Sequence, residues 1–216
     1  SDDTWEPDKI ERQLLALRTR DESFGFCICN IKYINEKNEL LSSTDLRTFF
    51  TRDGDFLEGL LLLPPMTSSF LLVRKDVFDK IGYFDENLPT AIDLDILLRL
   101  ASAYKAVLVE KPLVRYRKSY NSISNRVNSG SRIKVIDKIA QYNNYFFTSN
   151  IHKINNTKAR IYLSYAKDLL WNNKFSLSRE LVMKSLSTKF DLRTLFFLYK
   201  IELKRIRQLL KTRISG

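Results

Sequence analysis

Two pairs of acidic residues in the first half of the chain have a spacing that permits chemistry. Asp2 and Asp3 are adjacent and precede a predicted helix, and Asp93 and Asp95 lie two residues apart at the start of another. Adjacent carboxylates bind a hard divalent cation, which neutralises a diphosphate. One carboxylate within hydrogen-bond reach of a hydroxyl can act as a general base. Acidic residues also cap helices and offset the helix dipole, and spacing alone leaves both interpretations open.

Other polar residues near these pairs could bind a substrate. Asp85 and Glu86 lie in a predicted turn ahead of the second pair. Arg115 and Arg117 are two residues apart on a predicted strand, so they share a face that could reach a phosphate or simply be exposed. The Ser/Asn-rich stretch 121–130 has no periodicity and predicts a loop, either a lid over the site or a connector.

The elements that must position these residues alternate between strand and helix through about residue 117, the pattern of an α/β domain. The predicted strands are 24–34, with a possible hairpin return at 40–41, then 67–74, 106–109 and 113–116. The predicted helices are 7–19, 55–63, 75–81 and 92–103. Beyond the loop only helices are predicted, at 131–148, 156–172, 175–188 and 191–212.

Charge is distributed unevenly along the 216 residues. Residues 1–110 contain 13 Lys and Arg against 20 Asp and Glu, and residues 111–216 contain 23 against 5. An acidic half suits a divalent cation, and a basic half suits phosphates, an anionic membrane surface or a polyanion. Solvated basic helix faces are the equally ordinary explanation of the second half.

The two cysteines indicate the redox environment in which the chain folds. Cys27 and Cys29 lie two apart in an apolar run, so on a strand they share a face, cannot staple the fold and are expected to be packing thiols. This indicates a reducing compartment. No signal peptide is evident, and no apolar run reaches the roughly 18 residues of a spanning helix.

Several segments of residues 1–125 resemble family-2 glycosyltransferases with the GT-A fold, in the family's order and at its spacing. Residues 1–11 resemble the segment that follows the first Asp of the family's metal-binding motif. Residues 73–78, 81–86 and 92–100 are similar to its acceptor-side run. Residues 111–117, followed by Ser122 and Ser124, resemble the strand and loop that close the domain.

The resemblance implies a role for each matching residue. Asp2, with Asp3 beside it, is expected to coordinate Mn²⁺ or Mg²⁺ on the diphosphate of a nucleotide-sugar donor. Asp93 is the expected base that deprotonates an acceptor hydroxyl for a single, inverting displacement. Supporting positions are expected in the acceptor region at Asp95, Asp85 and Glu86, and at the donor diphosphate at Arg115 and Arg117.

The chain departs from the family pattern at two points. Ile92 stands where the family has a Glu, and Leu94 and Leu97 stand where aromatic residues are common. These changes bear on how the acceptor is held. Asp93 is retained, and we therefore expect an active parent enzyme rather than an inactive homologue.

The resemblance also predicts the domain organisation. We expect an α/β fold in which residues 1–125 are the metal- and acceptor-binding part of a GT-A (Rossmann-like, nucleotide-diphospho-sugar transferase) domain that lacks its N-terminal half. Residues 126–216 are the expected helical C-terminal extension. Such a fragment should be inactive by itself and unstable at an open apolar sheet edge.

The family points to bacterial cell-surface polysaccharide or glycolipid synthesis in the cytoplasm, with a saccharide or lipid-linked acceptor. Residues 200–214 predict a basic amphipathic helix that could lie on anionic lipid as a peripheral contact, or could be a packing helix with a solvated face. The rival function is a non-catalytic basic module that binds a polyanion or nucleic acid. Its aromatic residues recur at core-like spacing and no nucleic-acid motif accompanies them, so no nucleic-acid partner is expected.

Overall fold

The structure is a computed structural model that describes residues 2–50, 54–63, 67–118 and 129–214, with side chains in the last helix described to residue 207. Of the loop predicted at 121–130, residues 121–128 lie outside this part of the chain, and the last two belong to a helix. Ser122 and Ser124 are likewise outside the described residues.

A mixed sheet forms the centre of the first half. Its strands are β1 (Thr4–Trp5), β2 (Phe24–Ile34), β3 (Leu40–Ser43), β4 (Leu72–Val73) and β5 (Lys105–Arg117). They lie in the order β1-β5-β2-β3, and β4 pairs with the first residues of β2 on the edge that β3 uses further along. The β2 and β5 pair is parallel, and the other pairs are antiparallel. The long apolar run of β2 is buried on both faces, as a central strand requires.

Helices cover the sheet and make up the second half. They are α1 (Lys9–Arg18), α2 (Leu57–Leu60), α3 (Lys75–Ile81), α4 (Ile92–Ala103), α5 (Ser129–Asp137), α6 (Ile139–Tyr142), α7 (Asn144–Ser149), α8 (Ile151–Trp171), α9 (Phe175–Thr188) and α10 (Leu192–Ile214). The predictions for β2, α3, α4 and α9 are confirmed. Gly82 ends α3 with a positive φ of 77°, a conformation that glycine adopts without strain.

The strand predicted at 67–74 is wrong over most of its length. Ser68–Phe70 form a 3₁₀ turn, and only Leu72–Val73 pair as β4. The Thr67 hydroxyl accepts a hydrogen bond from the Ser69 backbone N–H at 3.3 Å, which caps the turn. A side-chain oxygen that satisfies the backbone locally competes with the sheet ladder, and here it prevails.

The two strands predicted on either side of Pro112 are one continuous strand, β5. The register between β2 and β5 shifts at Asn30, which lies opposite Pro112. The Asn30 side-chain amide donates a hydrogen bond to the Glu110 carbonyl at 2.7 Å. The irregularity accommodates a residue that has no N–H to donate, so the strand continues through the proline.

The helix predicted at 131–148 is three shorter helices, α5, α6 and α7. Asn143 interrupts it with a backbone φ of −153°, and its side-chain oxygen accepts a hydrogen bond from the Phe146 N–H at 2.9 Å. This is an N-cap, which begins a new helix in a new direction. The helix predicted at 55–63 is also shorter, since α2 covers only Leu57–Leu60.

The main hydrophobic core joins both halves of the chain. It contains Phe26 and Ile28 of β2, much of α4, and Ile136 and Ile161 from α5 and α8. The predicted division at 125/126 therefore does not coincide with a break in the core, and as a domain boundary it stays a prediction. A separate small cluster under α1 includes Cys27, and both cysteines are buried free thiols. Burial raises the pKa of Cys27 to about 12 and that of Cys29 to about 11, so both stay protonated.

The last three helices pack on one another around Ala166, Val182 and Ile201. The hydroxyl of Ser178 donates to the Ala166 carbonyl at 2.6 Å, and that of Ser185 donates to the Ala159 carbonyl at 2.9 Å. These small, internally satisfied residues let α8 and α9 approach closely, which explains the helical hairpin predicted there.

Candidate active site

Three carboxylates, Asp2, Asp3 and Asp93, define a site that we call the acid cleft. Strand β1 places the first two, because Thr4 pairs with Arg115 on β5 and the residues before it lie beside the end of that strand. The Arg117 backbone N–H donates to Asp3 Oδ1 at 3.4 Å, and the Arg117 guanidinium donates to the Asp2 carbonyl at 3.4 Å. Asp2 is exposed and Asp3 is partly buried.

The 3₁₀ turn after Thr67 holds the second of these carboxylates. The Ser69 hydroxyl donates to Asp3 Oδ2 at 2.6 Å, and the Thr67 hydroxyl lies 3.5 Å from the same oxygen. Phe70, fully buried, fixes the turn in the main core. This short hydrogen bond orients Asp3, and among the described residues its other oxygen receives only the longer Arg117 contact.

The same turn also holds Asp93. Ala91 begins α4 in the left-handed conformation, with φ of 65°, and Asp93 lies in the first turn of that helix. Ser68 lies close to Asp93, and its hydroxyl and backbone N–H face that carboxyl and lower its pKa. Consecutive serines therefore lie against the two carboxylates, Ser69 bonded to Asp3 and Ser68 beside Asp93, which are 90 positions apart in the chain.

The electrostatics of Asp93 suit a base. Burial raises the pKa of Asp93, the Ser68 hydrogen bonds offset part of that rise, and the negative charge of Asp3 adds to it. Asp93 forms no ion pair with any described residue, so within that part of the chain no cation stabilises its ionised form. A carboxylate with a raised pKa is a stronger proton acceptor than an ordinary aspartate, and such carboxylates mark candidate functional sites.

Asp95 lies on a different side of α4 and has a different environment. Its carboxylate is 1% exposed and accepts from the Arg99 guanidinium at 2.8 and 3.0 Å. The Lys138 ammonium lies 3.1 Å from the other Asp95 oxygen and 2.6 Å from Asp85. Asp85 and Asp95 are therefore joined through one lysine on the helical half, and neither contacts the acid cleft.

The remaining predicted site residues lie at different distances from the acid cleft. Arg117 is next to it, and its guanidinium also donates to the carbonyls of Asn35 and Glu36, which fixes its position. Arg115 instead pairs with Glu6 at 3.0 Å and lowers the pKa of that carboxyl. Glu86 is exposed in the turn before α4.

Sequence reasoning missed Thr67, Ser68 and Ser69, the residues that join the two carboxylates. The available signal was a run of three hydroxyl residues just before a large apolar residue, Phe70. Such a run is typical of a turn or cap rather than of a strand interior.

Asp3 offers a metal one carboxylate beside the turn, and its exposed chain neighbour Asp2 has a second. Over the described ranges, no group of three or more His, Cys, Asp or Glu residues is placed to hold an ion. Two carboxylates fit Mg²⁺ or Mn²⁺ in a substrate complex, because such a cation keeps several waters and takes further oxygens from phosphates. The donor set is too small for a cage built by the protein alone.

Comparison with known families places the chain in one of them. A family model described as "Glycosyltransferase like family 2" matches residues 1–184. The match covers most of the chain, and the chain therefore belongs to this family, which confirms the resemblance seen in the sequence. Membership implies transfer of a sugar from a nucleotide-sugar donor to an acceptor. No curated protein matched the sequence.

Along the described part of the chain, no helix has the length and apolar character needed to cross a membrane.

Proposed function

We propose that the protein is an inverting, metal-dependent glycosyltransferase whose acid cleft is the catalytic centre. One observation carries the proposal: a single turn holds Asp3 and Asp93 together, one beside Arg117 and the other partly buried with a raised pKa. This provides a position for a donor diphosphate next to a base for an acceptor hydroxyl. Family membership supplies the reaction class.

The reaction we propose is a single displacement at the anomeric carbon. The acceptor oxygen bonds to that carbon while the bond from the carbon to the diphosphate oxygen breaks. The nucleoside diphosphate leaves with the bonding electron pair, and Asp93 takes the hydroxyl proton. Because attack and departure occur on opposite faces of the carbon, the configuration inverts.

The donor side of the cleft has its own assigned residues. Asp2 and Asp3 would hold the Mn²⁺ or Mg²⁺, which would neutralise charge that develops on the departing diphosphate. Arg117 lies beside both and is fixed by its carbonyl contacts, and in this proposal its positive charge would attract a phosphate of the donor. Arg115, already paired with Glu6, would act from further away.

The test is release of nucleoside diphosphate by the natural gene product that carries this sequence. A panel of sugar nucleotides is assayed with and without Mn²⁺ for the parent, for Asp93→Asn and for Asp76→Asn. Asp76 is an exposed acidic residue in the first turn of α3, so its variant carries the same change of charge away from the cleft. Metal-dependent release that only Asp93→Asn abolishes supports the proposal, and a folded protein that releases nothing from any donor refutes it.

We also propose a peripheral contact of α10 with the cytoplasmic face of a membrane, where lipid-linked acceptors of cell-surface polysaccharide or glycolipid synthesis are found. One side of this helix, with Leu198 and Ile201, packs against α8 and α9. Another side exposes Leu192, Leu195, Phe196, Tyr199 and Ile206. Exposed apolar residues among basic ones suit anionic lipid.

Sedimentation with vesicles tests this contact. We expect binding to vesicles that contain phosphatidylserine and loss of binding when Phe196 and Ile206 are both replaced by Ser. Equal binding to neutral phosphatidylcholine vesicles, or no effect of the double substitution, would refute it.

A further inference from the structure

The helical half has a groove whose lining residues do not belong to the acid cleft. It runs along α8 from Arg160 to the C-cap residue Asn172, and Arg132 of α5 and Leu63, which follows α2, also line it. Its volume is about 720 Å³. Ligand-binding clefts in proteins are commonly about 300–1,000 Å³, so this groove has room for a ligand of several sugar rings. We call it the basic groove.

Three cations line the basic groove: Arg132, Arg160 and Lys167. Within the described part of the chain none of the three forms an ion pair, whereas the neighbouring Lys158 pairs with Asp137 at 2.7 Å. Arg presents a planar fork that matches carboxylate and phosphate oxygens, and Lys provides a compact positive charge. With one carboxylate, Asp168, among the lining residues, the three cations leave the groove with a net positive charge, which favours an anionic ligand.

The groove also has the groups that bind sugar rings. Trp171, the last residue of α8, is 86% exposed and lines the groove, and Tyr165, six residues earlier on the same helix, lines it too. An exposed indole gives a flat apolar platform for the C–H face of a sugar. Asp168 lines the groove between them, and its carboxylate can accept hydrogen bonds from sugar hydroxyls.

Chain connectivity limits the distance from the basic groove to the acid cleft. Leu63 lines the groove, and Thr67, four residues later, lies beside Asp3. Four residues span about 14 Å at most, since each adds at most about 3.6 Å. The edge of the groove is therefore within a few sugar units of the proposed catalytic centre.

We propose that the basic groove binds a stretch of acceptor saccharide that carries oxyanion groups, carboxylate or phosphate, while the end to be extended lies in the acid cleft. Only the placement of the saccharide end in the acid cleft rests on the proposed function. Binding of an anionic saccharide in the groove needs neither donor nor metal. The two proposals can therefore fail separately.

Calorimetric titration of the protein without donor or Mn²⁺ tests the site. The probes are a hexamer of a polyuronate, a phosphorylated maltohexaose, neutral maltohexaose, inorganic phosphate and a single-stranded hexanucleotide. The variants are Arg160→Gln and Trp171→Ala, both on exposed side chains of α8. The matched controls are Lys37→Gln, in the exposed turn between β2 and β3, and Tyr145→Ala, an aromatic that is 83% exposed on α7. Circular dichroism establishes that each variant is folded.

We expect at least one anionic oligosaccharide to bind, with a Kd about tenfold higher in each groove variant and unchanged within about twofold in each control. The stronger of the two anionic probes identifies the oxyanion. Equal binding of the neutral saccharide, of inorganic phosphate or of the hexanucleotide would overturn the proposal. So would an absence of binding, or a loss in Lys37→Gln equal to that in Arg160→Gln. Failure of the nucleoside diphosphate assay would leave a positive result here intact.

Discussion

The acid cleft and the basic groove are opposite in charge and alike in one respect. In each, the like-charged side chains form no ion pair among the described residues, although one opposite charge lies beside them, Arg117 in the cleft and Asp168 in the groove. Nearby charges outside them are paired: Asp8 lies 2.7 Å from Lys111, and Glu6 lies 3.0 Å from Arg115. Like charges kept close together without partners cost free energy unless a ligand neutralises them, so such places are where ligands are expected to bind.

The two sites differ in how they are built. The acid cleft is assembled from three short pieces of distant sequence: the residues before β1, the turn at Thr67 and the start of α4. The basic groove is built mainly along one helix of 21 residues. A site assembled from distant pieces is sensitive to small displacements, whereas a site on one helix face loses its contacts one at a time.

The largest expected effect is that a single substitution abolishes the activity of one site and leaves ligand binding at the other unchanged. Asp93→Asn removes the base and should lower sugar transfer by about 10²- to 10⁴-fold, the usual contribution of general base catalysis. It should leave the affinity of the basic groove for an anionic saccharide unchanged. Steady-state transfer assays and calorimetry on the same preparation measure both quantities. A parallel loss of groove binding would show that the two sites are not independent.

The comparison of Asp93 with Asp95 gives the next effect, on stability. Asp95→Asn leaves Arg99 and Lys138 without their buried carboxylate and should lower the free energy of unfolding by about 3 kcal/mol, as removal of one partner of a buried ion pair does. Urea denaturation measures it, with Asp79→Asn on the exposed face of α3 as control. A loss below about 1 kcal/mol would mean that the Asp95 cluster does not tie α4 to the helical half.

These cases show what the sequence could predict. The bounds of α4 came from helical periodicity and those of β2 from its β-branched and aromatic composition, and both signals are local. Periodicity also placed Asp93 and Asp95 in the first turn of one helix. The division of roles between them depends on Lys138 and Ser68, which lie 43 and 25 residues away in sequence from their partners. Such local signals carry no information about these contacts. The contact of Ser68 depends on the turn that Thr67 caps, and that cap replaces most of the predicted strand.

A smaller effect is expected from Ser69→Ala. The substitution removes the 2.6 Å hydrogen bond that orients Asp3 and should raise the Mn²⁺ concentration required for half-maximal transfer about tenfold, consistent with one charge-assisted hydrogen bond. Ser43→Ala, on an exposed edge strand, is the control. An unchanged metal requirement would show that Asp3 does not bind the metal and that Asp2 is the protein ligand.

The smallest effect concerns the cost of keeping Asp93 ionised. Since the folded state raises the pKa of Asp93, it binds that proton more tightly than the unfolded state does. Ionised Asp93 therefore destabilises the fold at neutral pH, and this cost disappears as the pH falls below the ordinary pKa of an aspartate. Asp93→Asn should raise the Tm slightly at pH 7, within the roughly 2–4 °C that 1 kcal/mol produces in a chain of this size. The difference should vanish near pH 3, where both side chains are neutral. The same raised pKa predicts that the transfer rate falls, with decreasing pH, earlier than an ordinary aspartate base would allow. A variant that is less stable than the parent at pH 7 would show that the Ser68 hydrogen bonds outweigh burial, and that the cleft stabilises its charge without a ligand.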